Sequence, residues 1–197
     1  MKLPESFYLN ENIVEVAKML LGKVLVTYKN NILTSGIICE TEAYAGITDK
    51  ASHAHGNKRT KRTEVMFKRG GVAYVYLCYG VHHLFNVVTN AEGIPDAVLI
   101  RAIIPLDGKG EIAVRANKPK NKINSDGPGK ISKLLSITTS DSGKNLLGNE
   151  IWIENRGIVI SENDIQTGKR IGVDYAEEDS NLPYRFWFEV SSLRFEV

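Results

Sequence analysis

Gly70-Gly71-Val72-Ala73-Tyr74-Val75-Tyr76-Leu77-Cys78-Tyr79-Gly80 is the stretch that decides the fold. From Val72 to Tyr79 it is rich in valine and tyrosine, whose branched or planar side chains suit a pleated, half-buried surface, so it predicts a strand. Gly80 turns the chain, and Leu84 to Thr89 reads as the strand that pairs back to make an antiparallel hairpin. Working outward, Ala91 to Asp96 is a further turn and Ala97 to Ile104 another strand, stopped by Pro105, which has no N–H for a ladder. Upstream, Ile13, Val14, Ala17, Leu20 and Leu21 recur at helical spacing behind Asn10 or Asn12 as N-cap, with Gly22 to end the helix. Lys23 to Tyr28 then reads as a strand, Asn30-Asn31 as a turn, and Ile32 to Tyr44 as a longer returning strand.

The remainder is less regular. Gly46 to Lys61 is polar, basic and glycine-containing, hence a loop. Asp107 to Ala116 predicts a short helix, Asn117 to Asp126 a mobile basic loop, and Gly127-Pro128-Gly129-Lys130 a tight approach to a helix over Ile131 to Leu135, with N–H groups able to face a phosphate. Ile151 to Glu154, Ile158 to Ile160, Ile171 to Val173 and Tyr184 to Val190 read as strands. No internal repeat and no regular alternation of strand and helix is present. The pattern predicts one α+β domain over residues 1–197, with a curved, largely antiparallel sheet flanked by helices and a protruding hairpin, rather than a doubly wound parallel sheet.

At 197 residues, 43% hydrophobic and 24% charged, the chain can bury a sizeable core without a disulfide or metal staple. No stretch approaches the roughly 20 apolar residues of a membrane span, and Met1 to Ser6 lacks the apolar run of a secretory signal. A soluble, cytoplasmic protein is expected. Cys39 and Cys78 lie in apolar runs without C-x-x-C spacing and read as small core residues. A net charge of +2 hides local asymmetry: Lys58, Arg59, Lys61, Arg62, Lys68 and Arg69 face only Glu64. A second basic stretch runs from Lys109 to Lys133, and the tail is acidic at Asp174, Glu177, Glu178 and Asp179. Such segments suit a polyanion, or simply a solvated surface.

The chemistry concentrates in Glu40-Thr41-Glu42-Ala43-Tyr44. Side chains alternate along a strand, so Glu40, Glu42 and Tyr44 share one face. Two carboxylates there repel unless their environments differ, one desolvated and acting as a base while the other stays solvated. A solvent-facing pair on an edge strand is the plainer alternative. Tyr74 and Tyr76 share a face and read either as core or as stacking surfaces. Tyr79, at the hairpin tip, has the shape of a wedge able to enter a duplex and fill the gap left by an extruded nucleotide. His53 and His55, with His82 and His83, match no zinc spacing. Walker, G-x-S-x-G and G-x-G-x-x-G motifs are missing.

On these residues the chain resembles the alkyladenine (3-methyladenine) DNA glycosylases of the vertebrate-type fold, in their bacterial form. The ordered blocks are Glu40 to Tyr44, Ser52-His53, Arg59 to Thr63 with Met66-Phe67, Tyr74 to Tyr76, Tyr79-Gly80, Asn86 to Val88, Val98 to Ala102, Gly127 to Lys130, and Arg170 to Val173. The resemblance implies a monofunctional base-excision repair enzyme that hydrolyses the N-glycosidic bond of flipped-out alkylated or deaminated purines. It places Glu42 as the general base for water, with Arg101 helping to hold that water and the backbone around Ile171 adding a contact. Tyr44, His53 and Tyr76 fall where the extruded base is sandwiched, Asn86 where guanine is excluded, and Tyr79 where the duplex is intercalated. Lys58, Arg59, Lys61, Arg62 and Lys130 are expected at the DNA backbone. No lysine stands at the nucleophile position, and no cofactor or metal is implied. The expected partner is damaged duplex DNA, met by a monomer at the nucleoid with no obligatory protein partner and no membrane. Val81 departs from the methionine usual beside the wedge, which bears on insertion depth. The rival readings are a non-catalytic nucleic-acid-binding module, which the basic loops and tyrosines alone would satisfy, and a metal-dependent hydrolase using the histidine pairs.

Overall fold

The computed structural model describes residues 1–195 of the chain. Its frame is a sheet in the order β3-β4-β5-β2-β1-β6, formed by β1 (Val24–Lys29), β2 (Ile32–Tyr44), β3 (Val72–Cys78), β4 (His82–Thr89), β5 (Asp96–Pro105) and β6 (Ile151–Glu154). All the pairings are antiparallel. The β1–β2 turn places Asn30 and Asn31 at φ 52° and 62°, the left-handed region that asparagine tolerates better than most residues. That closes a tight hairpin in which Lys29 sits opposite Ile32.

β2 is the spine. Along its first half it pairs with β1, and from Gly36 to Tyr44 it pairs with β5. Where β1 ends, β9 (Arg185–Trp187) takes over and sets Arg185 opposite Glu42. β9 in turn carries the short β8 (Gln166–Gly168). The β2–β5 register slips between Ile38 and Glu40 and again before Thr41. Bulges bend a strand and increase its twist. These two curl the sheet beside Glu40 and Arg101.

One face packs on α2 (Ile13–Met19), whose N-cap Asn12 accepts the Glu15 N–H. The Thr41 hydroxyl donates to the Ala17 carbonyl at 2.8 Å, tying β2 to the end of that helix. Leu20, Leu25, Ile38, Phe85, Ile100, Ile103 and Phe186 lie in the resulting core. α4 (Pro128–Leu134) packs against β4 and β5, and α3 (Lys109–Ala116) against α4. α1 (Glu5–Tyr8) precedes α2, and β7 (Ile158–Val159) pairs with β10 (Arg194–Phe195) as a separate ribbon. The opposite face carries a smaller cluster of Ala54, Met66, Phe67, Tyr74, Val88 and Ala97, which holds the basic loop over β3, β4 and β5.

The expected α+β architecture is thus present, but the second half departs from its reading. Ile171 to Val173 is an open bend, not a strand. Tyr184 to Val190 contracts to three strand residues, and α4 begins at Pro128 rather than Ile131 because proline suits the first helical turn. Among the described residues no helix is long and apolar enough to cross a membrane.

Gly70 shows how closely β3 is seated. A Cβ there would lie 2.4 Å from the Tyr8 carbonyl oxygen, which already accepts the Asn90 N–H at 2.7 Å. Gly70→Ala is expected to lower stability by about 1–3 kcal/mol, as overpacking does. Chemical denaturation with an unchanged m-value checks this.

Candidate active site

Glu42 is 0% exposed, an unusual place for a carboxylate. Three groups compensate for the lost water. The Ile171 N–H donates to Oε1 at 2.8 Å, the Tyr44 hydroxyl donates to Oε2 at 2.8 Å, and an Arg101 guanidinium nitrogen lies 3.4 Å from Oε1. Burial still dominates and raises the Glu42 pKa, against the lowering effect of Arg101, the Ile171 amide and Tyr44. Glu40, on the same face, keeps 18% of its side chain in solvent. Its carboxylate accepts from Arg101 Nε at 3.1 Å and from Arg185 at 3.4 Å. The two acids therefore differ in environment as expected, and Arg101 lies between them and relieves their repulsion. Glu40, without an expected task, is an anchor for that arginine.

Above Glu42 opens a cavity of about 260 Å³, lined by Tyr44, His53, Tyr74, Tyr76, Tyr79, Asn86, Arg101, Ile171 and Tyr175 among others. Tyr44, His53, Tyr76, Asn86 and Arg101 are thereby brought to one place, while Glu42 itself lies buried behind its partners Tyr44, Arg101 and Ile171, which line the wall. A larger groove of about 890 Å³ beside α2 holds none of them. His53 meets Tyr76 edge to face at 4.6 Å between ring centroids. Its Nδ1 is 2.9 Å from the Tyr74 hydroxyl and its Nε2 is 3.0 Å from Arg62. The same Arg62 nitrogen also lies 3.4 Å from Nδ1, so the guanidinium caps the outer edge of the imidazole. Burial, with Arg62 and Lys58 nearby, lowers the His53 pKa to about 4, so the ring is neutral near pH 7. The Asn86 amide donates to the Tyr74 and Leu84 carbonyls at 3.1 and 3.3 Å, which fixes it as a rigid part of the wall.

The hairpin tip is strained and bare. Tyr79 and Gly80 have φ 49° and 73°, and the Val81 N–H closes the turn on the Cys78 carbonyl. Glycine adopts that conformation freely, whereas a bulky side chain there is an outlier. Tyr79 is nonetheless 93% exposed, with Val81 exposed beside it. A strained residue with so little packing in return points to use by something outside the chain.

The basic loop divides. Lys58 and Lys61 are exposed. Arg59 forms a two-pronged pair with Glu64 and covers the Phe67 ring. Arg62 lies 4.7 Å over the Tyr76 ring and so belongs to the rim of the cavity. Lys130 is exposed in the first turn of α4, next to Pro128, which lines the cavity. Cys78 also lines the cavity, while burial pushes the Cys39 thiol up to about 12. Among the described residues no group of three histidine, cysteine or acidic side chains is arranged to hold a metal ion. The His83 ring instead accepts the Thr139 N–H.

Residues 6–192 match the model of the methylpurine-DNA glycosylase family. The chain belongs to that family. A relative in Chlamydia abortus, provisionally named as a 3-methyladenine DNA glycosylase, is 45% identical over 193 residues, covering 96% of this chain and all of the relative. One in Bacillus cereus, with the same provisional name, is 47% identical over 200 residues, covering 96% of each chain. The chain is accordingly a DNA glycosylase of the monofunctional, hydrolytic kind.

In this glycosylase three contributors to the site were not legible from spacing. Tyr74, read as core, is 2% exposed and also orients His53. Tyr175, at the mouth, donates its hydroxyl to the Ala51 carbonyl at 3.0 Å. Arg185 reaches Glu40 only because β9 joins β2. The tyrosine signature flagged the first, whereas the other two depend on tertiary pairing alone.

The hairpin tip yields effects of opposite sign. Tyr79→Gly is expected to raise stability by about 1 kcal/mol, since the left-handed conformation then carries no Cβ penalty. The same variant should weaken binding to lesion-containing duplex. Thermal melting and a duplex-binding titration on one preparation check both.

Proposed function

We propose that this glycosylase excises alkylated or deaminated purines, such as 3-methyladenine, hypoxanthine and ethenoadenine, from duplex DNA. The reaction is a water-dependent hydrolysis at a flipped-out nucleotide. The observation that carries it is the fully buried Glu42 carboxylate, held by three donors at an aromatic-walled cavity. A water held by Glu42 and Arg101 at the cavity wall attacks C1′ of the deoxyribose and Glu42 takes its proton. The N-glycosidic bond breaks and its electron pair leaves with the base, which departs neutral from a cationic 3-methyladenine and takes up a proton from solvent when the lesion is a neutral purine such as hypoxanthine. A carboxylate suits this step twice, since it accepts the proton and stabilises the oxocarbenium character that develops at C1′.

The walls fit a flat, electron-poor base. Tyr44, His53 and Tyr76 offer aromatic faces and edges, and an alkylated purine is cationic, so cation–π attraction favours it over a normal base. His53 is neutral and adds no opposing charge. Asn86 is pinned by two carbonyls, so a guanine 2-amino group would meet a wall unable to swing aside. Tyr79 fills the space vacated in the duplex, while Lys58, Lys61 and Lys130 meet phosphates. The enzyme acts as a monomer in the cytoplasm, at the nucleoid.

Duplexes carrying each lesion, incubated with chelator present and scored for alkali-labile abasic sites, test the reading. Wild type should produce them, and Glu42→Gln should lose roughly a thousandfold or more in single-turnover rate. Lesion binding without abasic sites would support the binding-module reading instead.

The pH dependence has a defined sign. Glu42 must be deprotonated to accept a proton, and its pKa is raised by burial, so the rate should fall on acidification while the pH is still above the ordinary carboxylate range. His53 stays neutral until about pH 4 and contributes nothing to that limb. A pH–rate profile under single turnover checks it. Separately, the Lys58→Gln/Lys61→Gln pair should flatten the dependence of log binding constant on log salt by about one to two units of slope. Titrations at several salt concentrations measure that slope.

A further inference from the structure

Arg170 and Asp49 are among the most buried charged residues of the chain, and neither touches the cavity. Arg170 makes a two-pronged pair with Asp49, with Nη2 donating to Oδ1 at 2.9 Å and Nη1 donating to Oδ2. Nη1 also donates to the Ala43 carbonyl, and Nη2 to the Asp179 carbonyl, both at 3.0 Å. The guanidinium lies 4.8 Å from the Tyr44 ring centroid and 5.3 Å from that of Tyr184. Asp49 in turn accepts the Ala45 and Ala51 N–H groups.

The location of these bonds matters more than their number. Ala43 is the residue between Glu42 and Tyr44 on β2, and Arg170 immediately precedes Ile171, whose N–H donates to Glu42. The arginine thus fastens the 170–172 bend, which has no ladder bonds of its own, to the strand position that carries both the acid and its tyrosine partner. Its flat face meanwhile fixes the Tyr44 ring. Stability alone is a weak explanation for this arrangement, because a buried ion pair is commonly matched by apolar residues of equal volume. An apolar pair could not donate to two carbonyls and stack on aromatic rings.

We infer that the Arg170–Asp49 pair is a positioning device that holds the Ile171 amide and the Tyr44 ring against Glu42, and so sets both the rate of base excision and the pH at which it begins. This rests on Glu42 being the base. Charged and titratable groups near Glu42 come from each surrounding element: Glu40 and Tyr44 from β2, Arg101 from β5, Arg170 from the bend, and Tyr175 from the segment after it. Arg170 and Asp49 can be altered without removing a direct partner of the carboxylate.

Arg170→Lys keeps the charge beside Asp49 but gives up the planar fork and the stacking face. Its single-turnover excision rate should fall by about tenfold to a hundredfold, as misplacement of a reacting group does. Its acid limb should move to higher pH, because a carboxylate that loses an N–H donor holds its proton more tightly. Lesion-duplex affinity should stay close to wild type. Should Arg170→Lys melt well below wild type, Tyr184→Leu decides. It leaves the ion pair intact and removes one stacking ring, and the same two changes should appear at smaller size. A folded variant with the wild-type rate and an unmoved acid limb overturns the inference. Glu42→Gln, run alongside, separates the two claims: if it remains active, the base assignment itself fails; if it is inert while the Arg170 and Tyr184 variants match wild type, only the positioning role fails.

Discussion

Everything near the cavity follows from one electrostatic demand, a carboxylate buried away from bulk solvent. An acid in that position returns to its neutral form unless donors replace its hydration. Glu42 has an amide, a phenol and a guanidinium arranged around it, and they come from three separate parts of the chain. The balance falls on the side of burial, so the group holds its proton more tightly than a free acid. The proposed role as base is served by that balance, since full compensation would leave a feeble proton acceptor.

The sheet meets this demand by bending. The register slips between β2 and β5 fall at Glu40 and Arg101, with the arginine between the two acids. A regular ladder would have spaced like charges along one face with no cation between them. β9 completes the arrangement by bringing Arg185 to Glu40 from the other side. The same strand pairing that curves the sheet therefore settles which carboxylate is dry and which is wet.

Much of this was legible in the residues. Alternation along Glu40 to Tyr44 placed both acids on one face, and the valine and tyrosine run gave the hairpin with its exposed tip. Local rules were sufficient there, because strand period and turn chemistry act over a few residues. They failed where tertiary contacts decide. Ile171 to Val173 has the composition of a strand, but the Ile171 N–H is given over to a carboxylate and the side chain of the preceding Arg170 to an ion pair. Arg59 and Arg62 look equivalent in a basic run, yet one is spent on Glu64 and the other lies against Tyr76. Spacing cannot separate such neighbours, since their partners lie across the fold or depend on which way the loop turns.

The partners of Glu42 are also widely separated in the order of synthesis. The acid comes at residue 42, while its amide donor comes at 171 and the arginine that steadies its neighbour at 185. A ribosome-bound or prematurely released chain would thus carry the tyrosine hairpin and the basic loop but no assembled site. The surroundings of the two acids are therefore complete only when nearly the whole chain is in place, which ties the finished site to the finished fold.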